Sequence, residues 1–462
     1  MRRPARCSAA KRYKRELAAN PGAIFAGVLS AQQVNEQCYA LRYRWRERIF
    51  TPLVTLWTFL AQVLEADSSC RKAVTRVLSY LPQSAGLDAS HDPSAYSKAR
   101  KRLPHELVPR LARMVGEKLA AKTEPRRLWH GHRVKLLDGS SVALWDSRPN
   151  QAAYPQPEGQ RPGCGFPVAR LVCIFDLLTG AVLELAEGPL SVGETVLFHQ
   201  LWETLRPGDV LVADRYYASY AEIALLRLRG GEIVFRLHQR RYCDFREGRR
   251  LGPQDRLLEW EKQAPGRWMS AAQFAALAQS QTVRLVRIRC EVARWRTEQI
   301  TLVTTLLDAR QYPARALCDL YCQRWQAETN LDHLKTTMQM EFLRTRTPEM
   351  IRKELWAHVL AYNLIRTLMW EAGQERRRDP MRISFKATIQ ETLALWPFTP
   401  ASARQRELSA FYEALLKAIG FHIVPKRPHR SEPRVRKRRP KNYRLMTKPR
   451  RQYINGPLLQ GG

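Results

Sequence analysis

Acidic residues are the scarce class in this sequence: 43 Asp and Glu stand against 77 Lys and Arg in 462 residues, a formal net charge of +34. So large an excess opposes compaction by self-repulsion and favours a polyanionic partner. Nucleic acid fits, because Lys and Arg release condensed counterions when they meet phosphates. A long apolar run is also lacking. The longest, around residues 50–64, is interrupted by Thr51, Pro52, Thr55, Thr58 and Gln62 and is too short to span a bilayer. The basic N-terminus (Arg2, Arg3, Arg6, Lys11 and Arg12) is not followed by an apolar signal core. These absences argue against a membrane role and set the expectation of a cytoplasmic, nucleoid-associated protein. The nine Cys are odd in number and unpaired in spacing, which argues against a disulfide framework, and no C-x2-C pair is present for zinc. Cys318 and Cys322, one helical turn apart, read as buried thiols. No internal repeat is present. The length admits two to four domains, and twelve Trp are out of keeping with a ribosomal RNA binder.

What is present begins with helices, from about residue 20 to 128. Thr51-Pro52 places a capping residue before a proline at the first helical position, and Leu53, Val54, Trp57, Leu60, Ala61 and Leu64 then recur at helical spacing. A second helix follows Ser68, with Val74, Val77, Leu78 and Leu81 inward. Asp92-Pro93 repeats the cap-and-proline signal before a short basic helix carrying Tyr96, Lys98, Arg100, Lys101 and Arg102. That helix reads equally as a DNA-recognition helix or as a solvated basic face.

From about 129 the pattern changes to strands. Residues 134–138 and 141–144 are extended, and 168–175 form an apolar run that turns at Leu178-Thr179-Gly180 into 181–186. Ser191-Val-Gly-Glu194 reads as a capping box, 210–213 as a short strand ending on Asp214, Ser219-Tyr-Ala-Glu222 as a second box, and 233–237 as a further strand. Three strands, helix, strand, helix, strand is the order of a ribonuclease-H-like core. About eighty residues, 238–315, then intervene as a β-rich insertion. One long helix is expected over 313–340 and another over 354–370, with more helix in 383–420. Between Lys426 and Arg451 thirteen Lys or Arg face Glu432 alone, a tail expected to order on DNA if at all.

At about 100° per residue, Tyr321, Arg324, Glu328 and Lys335 fall within an arc of roughly 60° on one helix face. A carboxylate framed by two cations and a phenol suits a metal-bound phosphate. Asp332 shares the stripe, so periodicity alone does not choose between it and Glu328, and a solvated amphipathic helix remains the plainer reading. Asp214 closes an apolar strand where α/β folds place their sites, although it would also serve as a turn residue. Asp138, in Leu136-Leu-Asp-Gly-Ser, has the Asp-Gly hairpin turn as its alternative.

Together these residues resemble a known family. Tyr321-x2-Arg324-x3-Glu328-x6-Lys335, with Trp325 after the Arg, is similar to the Y-R-E-K signature of the insertion sequence 4 family of DDE transposases. Asp138-Gly-Ser, Ala213-Asp214-Arg215, Leu343-Arg-Thr-Arg-Thr-Pro348 and Ala361-Tyr-Asn-Leu-Ile-Arg366 agree with it, as does the basic tail. The resemblance covers about 130–451. It departs at Tyr216, where the family often has Gly.

The resemblance implies an α/β chain with a ribonuclease-H-like core in two parts, 129–237 and 316–382, separated by the insertion at 238–315. A helical DNA-binding domain (1–128) precedes it, and helices (383–424) and the basic tail (425–462) follow. It implies that Asp138, Asp214 and Glu328 hold two Mg2+ ions, Mn2+ being the substitute, for phosphodiester cleavage and strand transfer. Tyr321, Arg324 and Lys335 would grip phosphates of the transposon end. The partners implied are double-stranded DNA with terminal inverted repeats, target DNA and a second copy in a homodimeric synaptic complex. The family commonly cuts its second strand through a DNA hairpin, with a flipped base stacked on a Trp. Trp295 is the foremost candidate here, followed by Trp260 and Trp268, each also readable as packing. A decayed element product that only binds DNA, and a metal-dependent nuclease that does not transpose, share these residues.

Overall fold

The computed structural model describes residues 22–46, 48–79, 90–238, 241, 243–266, 268–289, 299–396, 405–425, 446–449 and 452. Trp295 and most of the basic tail lie outside the described residues.

Five helices come first: α1 (Ala31–Ala40), α2 (Pro52–Leu64), α3 (Cys70–Ser79), α4 (Ser94–Arg102) and α5 (Leu107–Ala121). The Thr51 hydroxyl accepts from the Val54 amide at 3.3 Å, so α2 starts at its expected cap. Every residue of α2 is buried. The strands and helices of the remainder are β1 (Val134–Leu144), α6 (Arg148–Ala153), β2 (Val168–Asp176), β3 (Val182–Pro189), α7 (Glu194–His199), β4 (Val210–Ala213), α8 (Tyr220–Leu228) and β5 (Glu232–Arg236). Then come β6 (Arg249–Gly252), β7 (Asp255–Glu261), α9 (Ala271–Ala276), β8 (Ser280–Arg289) and β9 (Gln299–Thr304). Last are α10 (Ala314–Cys322), α11 (Trp325–Asp332), β10 (Phe342–Leu343), α12 (Pro348–Glu375), α13 (Phe385–Leu395) and α14 (Gln405–Phe421).

All the strands join one sheet, in the order β3-β2-β1-β4-β5-β9-β8-β7-β6, with β10 against the far end of β1. β1 is antiparallel to β2 and parallel to β4, and β4 is parallel to β5. The arrangement 3-2-1-4-5 with those directions is a ribonuclease-H-like core. The strands of the interval 238–315 do not fold away from it. β9 pairs antiparallel with β5, and β8, β7 and β6 continue the sheet outward.

Alternation along the strands sorts side chains onto two faces. Leu136, Val142, Cys173, Val212 and Leu302 face one side, where they share a core with α2, α5, α10, α11 and α12. Leu137, Ile174, Leu211, Ala213 and Phe235 face the other, against α7 and α8. The long helix α12 is the spine of the first layer, with α2 and α5 lying along it.

Three local expectations are corrected. The chain from 313 to 340 is not one helix: α10 ends at Cys322, α11 restarts at Trp325, and His333–Thr337 forms a π-helical turn. The cap of α7 is Gly193, and no side chain completes the box expected from Ser191, because Glu194 turns toward Gly139. Ser219 does cap α8, but Glu222 leaves the box to bond the His199 ring at 2.8 Å in the interior.

Candidate active site

Asp138 lies within an unbroken strand, paired across β2 with Cys173, so the hairpin alternative is removed. The parallel register Leu136↔Val212 between β1 and β4 carries forward two residues to Asp138 and Asp214. With a side-chain period of two, both carboxylates come to the same level and the same face of adjacent strands. Asp214 follows the last residue of β4, where the backbone leaves the sheet.

The helical layer supplies the rest. α11 packs on β1. The Arg324 guanidinium, in the break between α10 and α11, donates to Glu328 Oε1 at 2.6 Å and stands 3.9 Å from Asp138 Oδ2. Tyr321 is buried beside Arg324, within the electrostatic reach of Asp214 and of Arg236 at the end of β5. Burial pushes the Tyr321 phenol well above its usual range. The π turn adds a residue to the coil. Beyond it Lys335 Nζ donates to the hydroxyl of Ser140 at 3.0 Å, on the same face of β1 as Asp138. Asp332, the rival to Glu328 on the stripe, is exposed and accepts from Thr336 at 2.7 Å. Glu328 is the one joined to the strand carboxylates.

Behind the strand, Gly139 makes room for Glu194: a Cβ at that position would come within 2.8 Å of the Glu194 carboxyl. The Tyr217 hydroxyl donates to the same carboxylate at 3.3 Å. Neither Glu194 nor Arg236 is singled out by sequence. Glu194 reads as a cap and Arg236 as a strand end, and only their register against β1 and Tyr321 reveals them.

Burial raises the Asp138 carboxyl to about 6, with Glu328 and Asp214 adding repulsion and Arg324 and the Gly139 amide opposing it. Folding therefore favours the protonated form. The stability this gives is present at acid pH and is lost as pH rises through about 6. Asp138→Asn, which cannot ionise, should make the metal-free protein more stable than wild type above that pH, by at most about 3 kcal/mol. The gap should narrow as pH falls below 6 and close only near about pH 3, roughly one unit below the ordinary carboxylate value. Urea midpoints in a chelator across this range test it, and parallel curves for the two proteins would refute it.

Among the described residues no three His, Cys, Asp or Glu side chains converge tightly enough to hold a metal ion. Arg324 stands between Asp138 and Glu328 instead. The donor set nevertheless suits a hard divalent cation: carboxylate oxygens, one of them destabilised as an anion by burial and by its neighbours. Arg324 Nε is buried without a hydrogen-bond partner, a donor unused in this arrangement.

The remaining sequence candidates are placed as follows. Lys98, Lys101 and Arg102 are exposed on α4. Arg100 is not on that surface. It is buried, with Nη1 donating to Gln62 Oε1 at 3.2 Å and its guanidinium 4.9 Å from the ring centres of Phe59 and Tyr96. The helix turns Tyr96 and Arg100 inward together because they are one turn apart. Trp260 is buried on β7 with Arg241 stacked 3.9 Å over its ring, and Trp268 packs 4.0 Å from the His199 ring. Both indoles are engaged in packing.

A ribonuclease-H-like sheet with two strand carboxylates facing a helical Arg-Glu pair defines a class of polynucleotide-cleaving enzymes. Comparison with known proteins makes the class specific. The family model described as Transposase DDE domain matches residues 129–364. Transposase InsG for insertion sequence element IS4, from Escherichia coli K12, is 27% identical over 403 residues, covering 86% of this chain and 88% of that protein. Putative transposase InsZ of the same organism is 26% identical over 136 residues, 29% of this chain and 45% of that one. Among solved structures, the piggyBac transposase synaptic complex with hairpin DNA aligns with a TM-score of 0.44 at 11% identity, over 90% of this chain and 87% of that one. The chain belongs to the insertion sequence 4 family of DDE transposases, enzymes that cleave DNA and transfer its strands. The family works with divalent metal ions.

Proposed function

We propose that this transposase moves its element by cut-and-paste, acting as a homodimer on paired terminal inverted repeats, with Asp138, Asp214 and Glu328 as the metal-holding carboxylates. The observation that carries the assignment is the shared level and face of Asp138 and Asp214, met by Glu328 through Arg324. Mg2+ is the ion that oxygen-only donors and phosphate substrates favour, and Mn2+ should replace it. Bound there, two such ions would activate the attacking oxygen and stabilise the leaving one.

The chain's own residues do the positioning. Arg324 and Lys335 present cations beside the carboxylates, so that the backbone at the cleavage point can be held while the reacting phosphate lies over Asp138 and Asp214. Swinging Arg324 from Glu328 to a phosphate would free the carboxylate for a metal and give the unpaired Nε a partner. Tyr321 supports that guanidinium from beneath. The helices before 128 and the tail after 425 would hold DNA away from the centre. Second-strand cleavage through a hairpin, with a flipped base on Trp295, completes the scheme, and the nucleoid is where its substrates lie.

The test incubates the purified protein with duplexes bearing its element ends and Mg2+, followed by denaturing gels. Free 3′ ends and, with time, a hairpin-sized product are expected. Arg324→Ala should weaken binding of the precleaved end and lower the slope of log affinity against log salt by about one. An unchanged slope would remove the phosphate role, and absence of any metal-dependent cleavage would remove the carboxylate assignment.

A further inference from the structure

Between α1 and α2, Arg42, Arg44, Arg46 and Arg48 are exposed, while Tyr43 and Trp45 are half-buried. Arg42 sits in the turn that ends α1, with a positive φ of 53°, and Glu47 lies outside the described residues. Arg102, the last residue of α4, lies against the Tyr43 phenol and adds a further cation. Arg44, Arg46, Arg48 and Arg102, with Tyr43 and Trp45, line a cavity of about 500 Å³ floored by Phe50, whose ring packs 5.4 Å from that of Tyr96. Among the described residues no carboxylate lines it. Beside it the Trp45 ring stands 5.5 Å from Tyr39, which is 67% exposed.

We propose that this Arg-rich strap, with Arg102, is a second DNA-binding surface separate from the carboxylates, and that it grips the phosphodiester backbone of duplex DNA. The inference rests on the reading of the chain as a DNA transposase and specifies where its helical half meets DNA. Four guanidiniums around one cavity, those of Arg44, Arg46, Arg48 and Arg102, favour a polyanion over any compact anion. Aromatic side chains fix the strap from behind, so little flexibility is lost on binding. The basic helix α4 takes part through its end rather than its face, since Tyr96 and Arg100 are turned into the core.

The test measures binding of the full chain to a duplex of arbitrary sequence, in chelator, across a salt series. Arg44→Gln, Arg46→Gln and Arg48→Gln combined should weaken binding at least about tenfold and lower the salt slope by roughly two to three. The corresponding Lys variants should restore most of the slope, because phosphates also accept a point charge. Arg249→Gln with Arg250→Gln, exposed on β6, controls for loss of net charge. An unchanged slope in the strap variant, an equal fall in the β6 control, or a loss seen only with a single strand would each overturn the proposal. No cleavage is involved, so failure here leaves the carboxylate assignment standing.

Discussion

Asp214→Asn is expected to lower metal-dependent cleavage of element ends by a thousandfold or more, a barrier increase of about 4 kcal/mol. The substitution keeps shape and removes one charge. Asp214 follows β4 in the loop ahead of α8 and is partly accessible. Duplex binding and its salt dependence should therefore remain at wild-type levels, which separates a lost metal ligand from a lost DNA contact. Single-turnover cleavage, with gel-shift binding on the same preparation, checks both halves. Cleavage at the wild-type rate would mean that a different carboxylate completes the site.

The second large effect is on stability. Arg284 on β8 is fully buried. Its guanidinium donates to both oxygens of Asp255 on β7, at 2.8 and 2.6 Å, and to the carbonyl of Tyr312 at 2.7 Å. Asp255→Ala would leave a cation inside the protein with no counter-charge. Breaking a buried pair from one side costs about 3–5 kcal/mol, much of it from the charge left behind. The urea midpoint should fall accordingly. Replacing both partners together, Asp255→Leu with Arg284→Met, should recover most of the loss. A double variant as unstable as the single one would show that the bond to Tyr312, rather than the charge balance, holds the region. Because Tyr312 lies just before Pro313, the cap of α10, the same variant should loosen the helix that carries Tyr321.

Much of the core was legible because its signals are local. The strand order follows from apolar runs punctuated by turns, and the Thr51-Pro52 start of α2 from cap chemistry. The signature from Tyr321 to Lys335 shows in the spacing of its residues, although the chain that carries it breaks between α10 and α11 and ends in a π turn. What escaped depends on contacts distant in sequence. The level pairing of Asp138 with Asp214 is a matter of register between strands more than seventy residues apart, and periodicity carries no register. The π turn at His333–Thr337 brings Lys335 to Ser140, yet nothing in those five residues announces an extra residue in the coil. Arg100 has the composition of a surface residue. It is buried because Gln62, Phe59 and Tyr96 happen to offer it a bond and two ring faces. Arg284 is a similar case, a charge in an Arg-rich stretch that turns out to be a core residue.

The pairing of β9 with β5 has a consequence for solubility. Ile233, Val234 and Phe235 are fully buried, and without the inserted strands their backbone would form the rim of the sheet. A flat apolar rim of unpaired amides is a template for adding strands from other molecules. In this chain the outermost strand on that side is β6 instead, short, broken in register and headed by the exposed Arg249 and Arg250. Such a strand repels copies of itself. The inserted segment thus moves the end of the sheet from a strand with a fully buried apolar centre to a short one with two exposed Arg, and excising it from the gene would give a core prone to aggregate before it could meet DNA.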